Sequence, residues 1–274
     1  MRSKYQEFLN EDIGSGDITS ELVIPADAKA KGRIIAKQDC ILAGASEASD
    51  VFKELGAKVL RAGKDGSPVK KGDVVLETQG PARALLAGER LALNLVMRMS
   101  GIATLTNDLV RRCKKINPRV RIAATRKTTP GFRAFEKKAV VLGGGDPHRY
   151  GLDDAILIKD NHIRIAGGVR EALVRARKRS RAKKIEIEVE SAKDAHIALE
   201  NGADIIMLDN FSPEDAKRLS KELKKEKANV VIEISGGIRP DNIEEYASCA
   251  DIISLGWLTH SYRSADFSMI LDRA

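Results

Sequence analysis

Eight cations crowd one stretch of this chain. Arg126, Lys127, Arg133, Lys137, Lys138, His148, Arg149 and Lys159 all fall between Thr125 and His162, around the run Gly143-Gly144-Gly145. Arginine grips a carboxylate or phosphate through paired N–H groups, and lysine acts on it as a point charge. The spacing adds direction. Thr125-Arg126-Lys127 follows the apolar-rich run Val120 to Ala124, and Lys159 ends the run Ala155 to Ile158. Short continuous apolar runs read as strands buried on both faces. Cations just past strand ends do not serve packing, and an unpaired buried charge costs several kcal/mol, roughly. Few acids stand near them in sequence, so an anionic ligand is the expected counter-charge.

Acids and glycines end other strands. Glu186, Glu188 and Glu190 alternate with Ile187 and Val189, which puts the carboxylates on one face. That face is a polar exterior in an open sheet and an acidic interior in a barrel. Asp209 follows Ile205 to Leu208 and reads equally as a helix cap or a catalytic group. With Glu188 it makes a pair of carboxylates able to face sugar hydroxyls or a metal. Ser235-Gly236-Gly237 follows Val230 to Ile234, and Gly256 follows Asp251 to Leu255. Glycine lets backbone approach a phosphate, and barrels commonly hold phosphate on their last two strand–helix loops. Gly143-Gly144-Gly145 lacks both the Walker GK[ST] ending and the GxGxxG spacing, and reads as a flexible loop carrying Pro147-His148-Arg149. His162, His196 and His260 read as structural or solvated. Arg90, beside Glu89 on a helical stretch, reads from spacing alone as a solvated charge.

The elements that must position these groups fall into three parts. Residues 1–115 read as an N-terminal α+β sandwich with a connecting helix. It holds a short helix over 1–13, strands in Lys31 to Gly44 and Ala57 to Gly80, and a helix over Ala45 to Leu55. Ala82 to Lys115 reads as a long helix, broken near Ser100-Gly101. Residues 116–260 alternate strand and helix. The strands are Val120–Ala124, Asp154–Ile158, Lys184–Glu190, Asp204–Leu208, Val230–Ile234 and Asp251–Leu255, with helices such as Ser191–Asn201 and Ser212–Lys225 between them. Alternation implies a parallel sheet. Six strands fall short of eight, so the expectation is an α/β fold with an irregular, incomplete α/β barrel. Residues 261–274 read as a C-terminal helix packing back on the body.

Composition narrows the function. The 274 residues carry a formal net charge of +8, 43% hydrophobic and 31% charged residues, and only 4% aromatics. The charge fits either nucleic acid or a small polyanion. Scarce aromatics and the absence of a helix-turn-helix, RNA-recognition or zinc-finger pattern favour the small polyanion. The basic run Arg175 to Lys184 suits a helix C-terminus. Cys40, Cys113 and Cys249 are far apart and outside any CxxC pattern, against zinc and against a disulfide framework. No apolar run approaches a membrane span, and the N-terminus has no apolar signal core, so the expected location is cytoplasmic, with no membrane partner.

The segments TRKTTPG, EKKAVVLGGGDPHRYGLDDAILIKDNH, EIEVE, MLDN, ISGGI and SLGWLTHS, with EDIGSGDITS and GERLALN earlier, resemble the quinolinate phosphoribosyltransferase family over nearly the whole chain. The resemblance implies transfer of the phosphoribosyl group of 5-phosphoribosyl 1-pyrophosphate to quinolinate with Mg²⁺. Nicotinate mononucleotide, pyrophosphate and CO₂ are the implied products. It further implies that Arg126, His148, Arg149 and Lys159 bind the quinolinate dicarboxylate. Arg90 would reach that site from a second subunit, against its reading from spacing. The dimer so implied stands alone or within a hexamer built as a trimer of dimers. Thr125 joins the substrate-binding set, and Lys127, Glu188 and Asp209 are the implied catalytic groups on the phosphoribosyl side. Mg²⁺ would be held through the pyrophosphate near Glu188 and Asp209, with no direct metal motif. Ser235-Gly236-Gly237 and Gly256 would cradle the 5-phosphate. Lys138 and Trp257 depart from the family pattern without removing a needed charge. The alternative within the same superfamily is a ModD-like branch linked to molybdenum transport, against which Lys159 in IKDNH argues.

Overall fold

A computed structural model describes residues 4–180 and 183–274. It divides into two compact units, Met1–Asn107 with Val141–Gly143 and Tyr262–Ala274, and Asp108–Val140 with Gly144–Ser261.

The first unit begins with helices α1 (Lys4–Ile13) and α2 (Ile18–Val23), the latter capped by Asp17. Of the helix expected over 1–13, positions 1–3 lie outside the described residues. Strands β1 (Lys29–Ala36) and β2 (Cys40–Ile41) precede helix α3 (Ala45–Glu54). Strands β3 (Lys58–Ala62), β4 (Pro68–Val69) and β5 (Val74–Pro81) follow, and β2 pairs with β4. Strand β1 alternates exposed and buried positions, the period-two signature of a sheet with one covered face. Its neighbours are β5 on one side and the chain's last strand, Phe267–Arg273, on the other, all antiparallel. Helix α3 buries Val51 and Phe52 completely and packs on β3 and β5.

Two expectations fail in this unit. The C-terminal segment is a strand and not a helix: Ala36 to Ala30 of β1 pair with Phe267 to Arg273, and Arg33 meets Asp272 at 2.8 Å. The pairing is non-local, and a bare β1 edge is the stronger determinant than local propensity. Helix α4 (Ala82–Ile116) also runs unbroken through Ser100-Gly101. Gly101 marks a close approach: a Cβ there would stand 2.2 Å from the Arg263 carbonyl oxygen. Ser100 Oγ accepts from the Ala43 N–H at 2.9 Å and donates to the Ala43 carbonyl at 3.0 Å.

The second unit is built on six parallel strands: β6 (Arg121–Ala123), β7 (Ile156–Ile158), β8 (Ile185–Val189), β9 (Ile205–Asp209), β10 (Val231–Ser235) and β11 (Ile252–Ser254). They pair in the order β6-β11-β10-β9-β8-β7. Every expected strand is present, four of them trimmed by two residues and β9 and β10 shifted by one toward the C-terminus. Consecutive strands are neighbours, as in a barrel, but among the described residues no ladder joins β6 to β7. The free side of β6 makes a single bridge from Ala123 to Asp146. The barrel is therefore incomplete, with a seam between β6 and β7. Helices α5 (Arg133–Leu142), α6 (Asp160–Ala166), α7 (Val169–Arg179), α8 (Ala192–Glu200) and α9 (Pro213–Glu226) alternate with the strands. The short helices α10 (Ile243–Tyr246) and α11 (Trp257–His260) flank β11. Ser191 and Ser212 cap α8 and α9 through their hydroxyls, which fixes where each loop leaves its strand. Ile187, Ile206, Leu208, Ile232, Ile234 and Ile253 are fully buried. Each contributes about 1.5–3 kcal/mol by leaving water.

Candidate active site

Parallel strands present all their C-terminal ends at one mouth. There Thr125, Arg126 and Lys127 follow β6, Lys159 follows β7, Glu188 lies on β8, Asp209 ends β9, Ser235-Gly236-Gly237 ends β10, and Gly256 follows β11. His148 and Arg149 come from the loop beyond the Ala123–Asp146 bridge, on the seam side of β6. All of these residues line one cavity of about 730 Å³. Arg90 is not among its lining; it lies exposed on α4 in the first unit.

The strand order sorts the mouth by charge. Lys159, Arg149, His148 and Arg126 stand at the two edges of the seam. The glycines stand on β10 and β11, and the carboxylates on β8 and β9. Lys159 Nζ forms a close ion pair with Glu188 Oε2, so it touches the acidic side as well as the cationic one. The other cations are less well matched. Arg126 Nε is buried without a hydrogen-bond partner. Arg149 is 8% exposed, and burial together with the charge of Arg126 pushes its guanidinium below the ordinary value. A buried guanidinium beside a half-buried one, in mutual repulsion that Glu186 and Glu188 offset only in part, favours an anion. Asp209 is shifted upward by burial and by the charges of Glu188 and Glu190, with Lys159 and Lys127 opposing.

The glycines have separate reasons. Gly236 and Gly237 have φ of +79° and +62°, and a Cβ on Gly236 would come within 2.4 Å of Asn210 Oδ1. Gly256 is tight on the cavity side: its Cβ would meet His260 Nε2 at 2.8 Å and Lys127 Cδ at 2.9 Å. The Ser254 hydroxyl, also lining the cavity, is buried without a partner.

Several of the clustered cations are structural. Lys137 is fully buried and donates to the carbonyls of Pro147 and, at 2.9 Å, Arg149, straddling His148. Burial and nearby Arg133 pull its amine down to about 8. Arg133 donates to Thr128 Oγ1 at 3.0 Å and to the Tyr150 carbonyl at 2.7 Å. His162 Nδ1 accepts from the Lys159 N–H at 3.0 Å at the start of α6, a structural role as expected. His196, likewise, meets Glu222 and Glu226 on the helical surface. His260 departs from expectation, since it lines the cavity beside Trp257. The run Gly143-Gly144-Gly145, read as a flexible loop, begins at a packed position: a Cβ on Gly143 would stand 2.5 Å from the Ala103 carbonyl oxygen of α4.

The sequence reading missed Glu233. It sits inside the run Val230 to Ile234, fully buried, with its carboxylate 3.2 Å from His148 Nε2. Glu186 stands 3.6 Å from the same nitrogen and is pushed up to about 8, first by burial and then by Glu233. Burial disfavours a charged His148 ring, but the hydrogen bond and charge of Glu233, with Glu186 and Asp146, outweigh it and raise its titration. The available signal was positional: an acid two residues before Ser235 shares its face.

Comparison with known proteins agrees with this geometry. The model of the quinolinate phosphoribosyl transferase C-terminal domain matches residues 102–270, and that of the N-terminal domain matches residues 17–100. The chain belongs to the quinolinate phosphoribosyltransferase family. Within it, the chain is 45% identical over 273 residues to a probable nicotinate-nucleotide pyrophosphorylase [carboxylating] of Methanothermobacter thermautotrophicus, covering 98% of each. It is 38% identical over 266 residues to the rat nicotinate-nucleotide pyrophosphorylase [carboxylating], covering 96% of this chain and 88% of the rat protein. The crystal structure of NadC from Streptococcus pyogenes superposes with a TM-score of 0.91 at 38% identity, covering 98% and 95% of the two chains. These likenesses favour the pyrophosphorylase branch over the ModD-like one and bear out the fold class.

Proposed function

We infer that the chain catalyses the family reaction, phosphoribosyl transfer from 5-phosphoribosyl 1-pyrophosphate to quinolinate with decarboxylation. The observation that carries this is the sorting of the mouth. Under-neutralised guanidiniums stand on the β6 lip of the seam, glycine turns stand at the ends of β11 and β10 beside it, and carboxylates follow on β9 and β8 before Lys159 on the β7 lip. A planar dicarboxylate suits the first group. A sugar 5-phosphate suits the second, where Ser235, Gly236, Gly237 and Gly256 leave backbone accessible. Glu188 and Asp209 then flank the ribose.

The ring nitrogen of quinolinate forms a bond to ribose C1 as the bond from C1 to pyrophosphate breaks. Positive charge grows on the sugar, and Glu188 and Asp209 are placed to stabilise it. Lys127, from the β6 end, meets the phosphate charge. The resulting pyridinium accepts the electron pair left when the adjacent carboxylate departs as CO₂, and that carbon takes up a proton. Arg126, Arg149 and Lys159 hold the carboxylates in place. Mg²⁺ would neutralise pyrophosphate as it leaves. Asp209, a hard oxygen donor shifted upward by burial and then by the charge of Glu188, fits a role in holding the ion's hydration shell. The same reading takes Arg90 as a quinolinate ligand supplied by a second subunit, the working unit as a dimer, and the location as cytoplasmic. No helix among the described residues is long and apolar enough to cross a membrane. The test is direct: purified protein with both substrates and Mg²⁺ should release CO₂ and nicotinate mononucleotide in equal amounts. Absence of either product under conditions where the protein is folded refutes the reading.

A further inference from the structure

Below the cavity, the interior of the second unit holds two acids that the reaction above does not use. His148 from the seam loop reaches the buried carboxylates of Glu186 on β8 and Glu233 on β10. Glu233 has no exposure and Glu186 has 4%, and each keeps one carboxylate oxygen without a hydrogen-bond partner. An acid in this setting costs stability unless it serves its neighbour. The three donors lie within 4.8 Å of one another, the spacing of a metal site. Arg149 and Lys159 act on Glu186 as well, but with His148 they do not offset its burial and the charge of Glu233.

The backbone at His148 is equally constrained. Its φ of +50° is unusual for a residue with a side chain. Asp146 Oδ1 accepts its N–H at 2.7 Å, and Arg121 holds Asp146 at 2.9 Å. Lys137 fastens the carbonyls on either side. A strained conformation persists only where its surroundings over-determine it. Here they fix the backbone, while Glu233 and Glu186 hold the ring.

We propose that Glu233 is a positioning residue of the dicarboxylate subsite: it holds the His148 imidazole by Nε2 as a charged ring, while Lys137 holds its backbone. With Nε2 committed to the carboxylates, the Nδ1 edge is what the ring retains for a ligand. Glu186 supports the same ring from β8. Glu233 itself touches no substrate and acts through His148. The inference rests on the placement of His148 in the quinolinate subsite.

The test compares Glu233→Gln, which keeps shape and an acceptor, with the unmodified enzyme. Steady-state kinetics should show quinolinate KM raised roughly tenfold, with the KM for 5-phosphoribosyl 1-pyrophosphate unchanged. The four histidines, labelled with ¹⁵N, allow the ring of His148 to be followed by NMR and assigned by His148→Asn. In the unmodified protein its titration should lie above the ordinary histidine value, and in Glu233→Gln it should fall by roughly one pH unit. A glutamine variant with unchanged quinolinate KM and unchanged His148 titration overturns the proposal, as does an equal rise in both KM values. Should the variant not fold, a His148 titration at or below the ordinary value in the unmodified protein overturns it alone. His148→Asn with unaltered quinolinate KM would instead remove the assignment of His148 to the subsite, leaving the NMR result to decide the Glu233–His148 linkage.

Discussion

Replacing Arg149 by alanine separates ligand binding from folding. Arg149 is buried beside Arg126, and the two guanidiniums repel each other in the unliganded protein. With quinolinate present, one or two charge-assisted hydrogen bonds to a carboxylate are expected, each contributing about 1.5–3 kcal/mol. Their loss totals roughly 1.5–6 kcal/mol, or roughly 10- to 30,000-fold in quinolinate Kd. The affinity for 5-phosphoribosyl 1-pyrophosphate should change by less than about fivefold, an effect within about 1 kcal/mol. The Lys137 bond to the Arg149 carbonyl survives the substitution, and the truncated side chain opens onto an existing cavity. Relief of the Arg126 repulsion opposes loss of the attraction to Glu186 and Glu188, so the melting temperature without ligand should change by less than about 2–4 °C. Calorimetric titration of each ligand and a melting curve read all three quantities. Equal weakening for both ligands would refute the assignment, and so would a variant that melts far below the unmodified protein.

Glu186 makes a pH prediction. Its carboxyl is held at about 8 when folded, against 4.5 for the free group, so between these values the folded state binds a proton that the unfolded state does not. Its contribution to stability is complete below pH 4.5 and is lost as pH rises through about 8. Glu186→Gln, which mimics the protonated form, should match the unmodified protein in melting temperature at pH 5 and exceed it at pH 9; a constant difference contradicts the placement. Quinolinate KM should likewise climb above pH 8 in the unmodified enzyme and stay flatter in Glu186→Gln. Arg90 acting from a second subunit predicts complementation: mixing inactive Arg90→Ala and Lys127→Ala proteins should restore part of the activity, and no recovery after verified subunit exchange counts against it.

Much of the barrel was legible because most strands are short apolar-rich runs closed by a polar residue, and local pattern suffices for that. The C-terminal strand was not. Phe267–Arg273 has no clean alternation, and its conformation comes from β1, more than two hundred residues away. Gly101 misled in the opposite sense: its role is a close backbone contact inside a continuous helix, which sequence alone does not distinguish from a break. In the site, residues past strand ends were visible because charge is out of place there. Glu233 was hidden because an acid within an apolar run is read as noise unless the interior-facing register is applied to every strand. Lys137 was visible as charge but not as function, since its partners are carbonyl groups that leave no mark in a sequence.

The gap between β6 and β7 has a mechanical consequence. Arg149 and His148 belong to one lip of it and Lys159 to the other, and among the described residues no main-chain ladder crosses between them. A ligand gripping both sides therefore acts as a clasp, closing a circumference that the polypeptide leaves open. Occupancy should stiffen the β6 and β7 rims more than the continuous wall opposite, and slowed amide exchange confined to those two rims would be its signature.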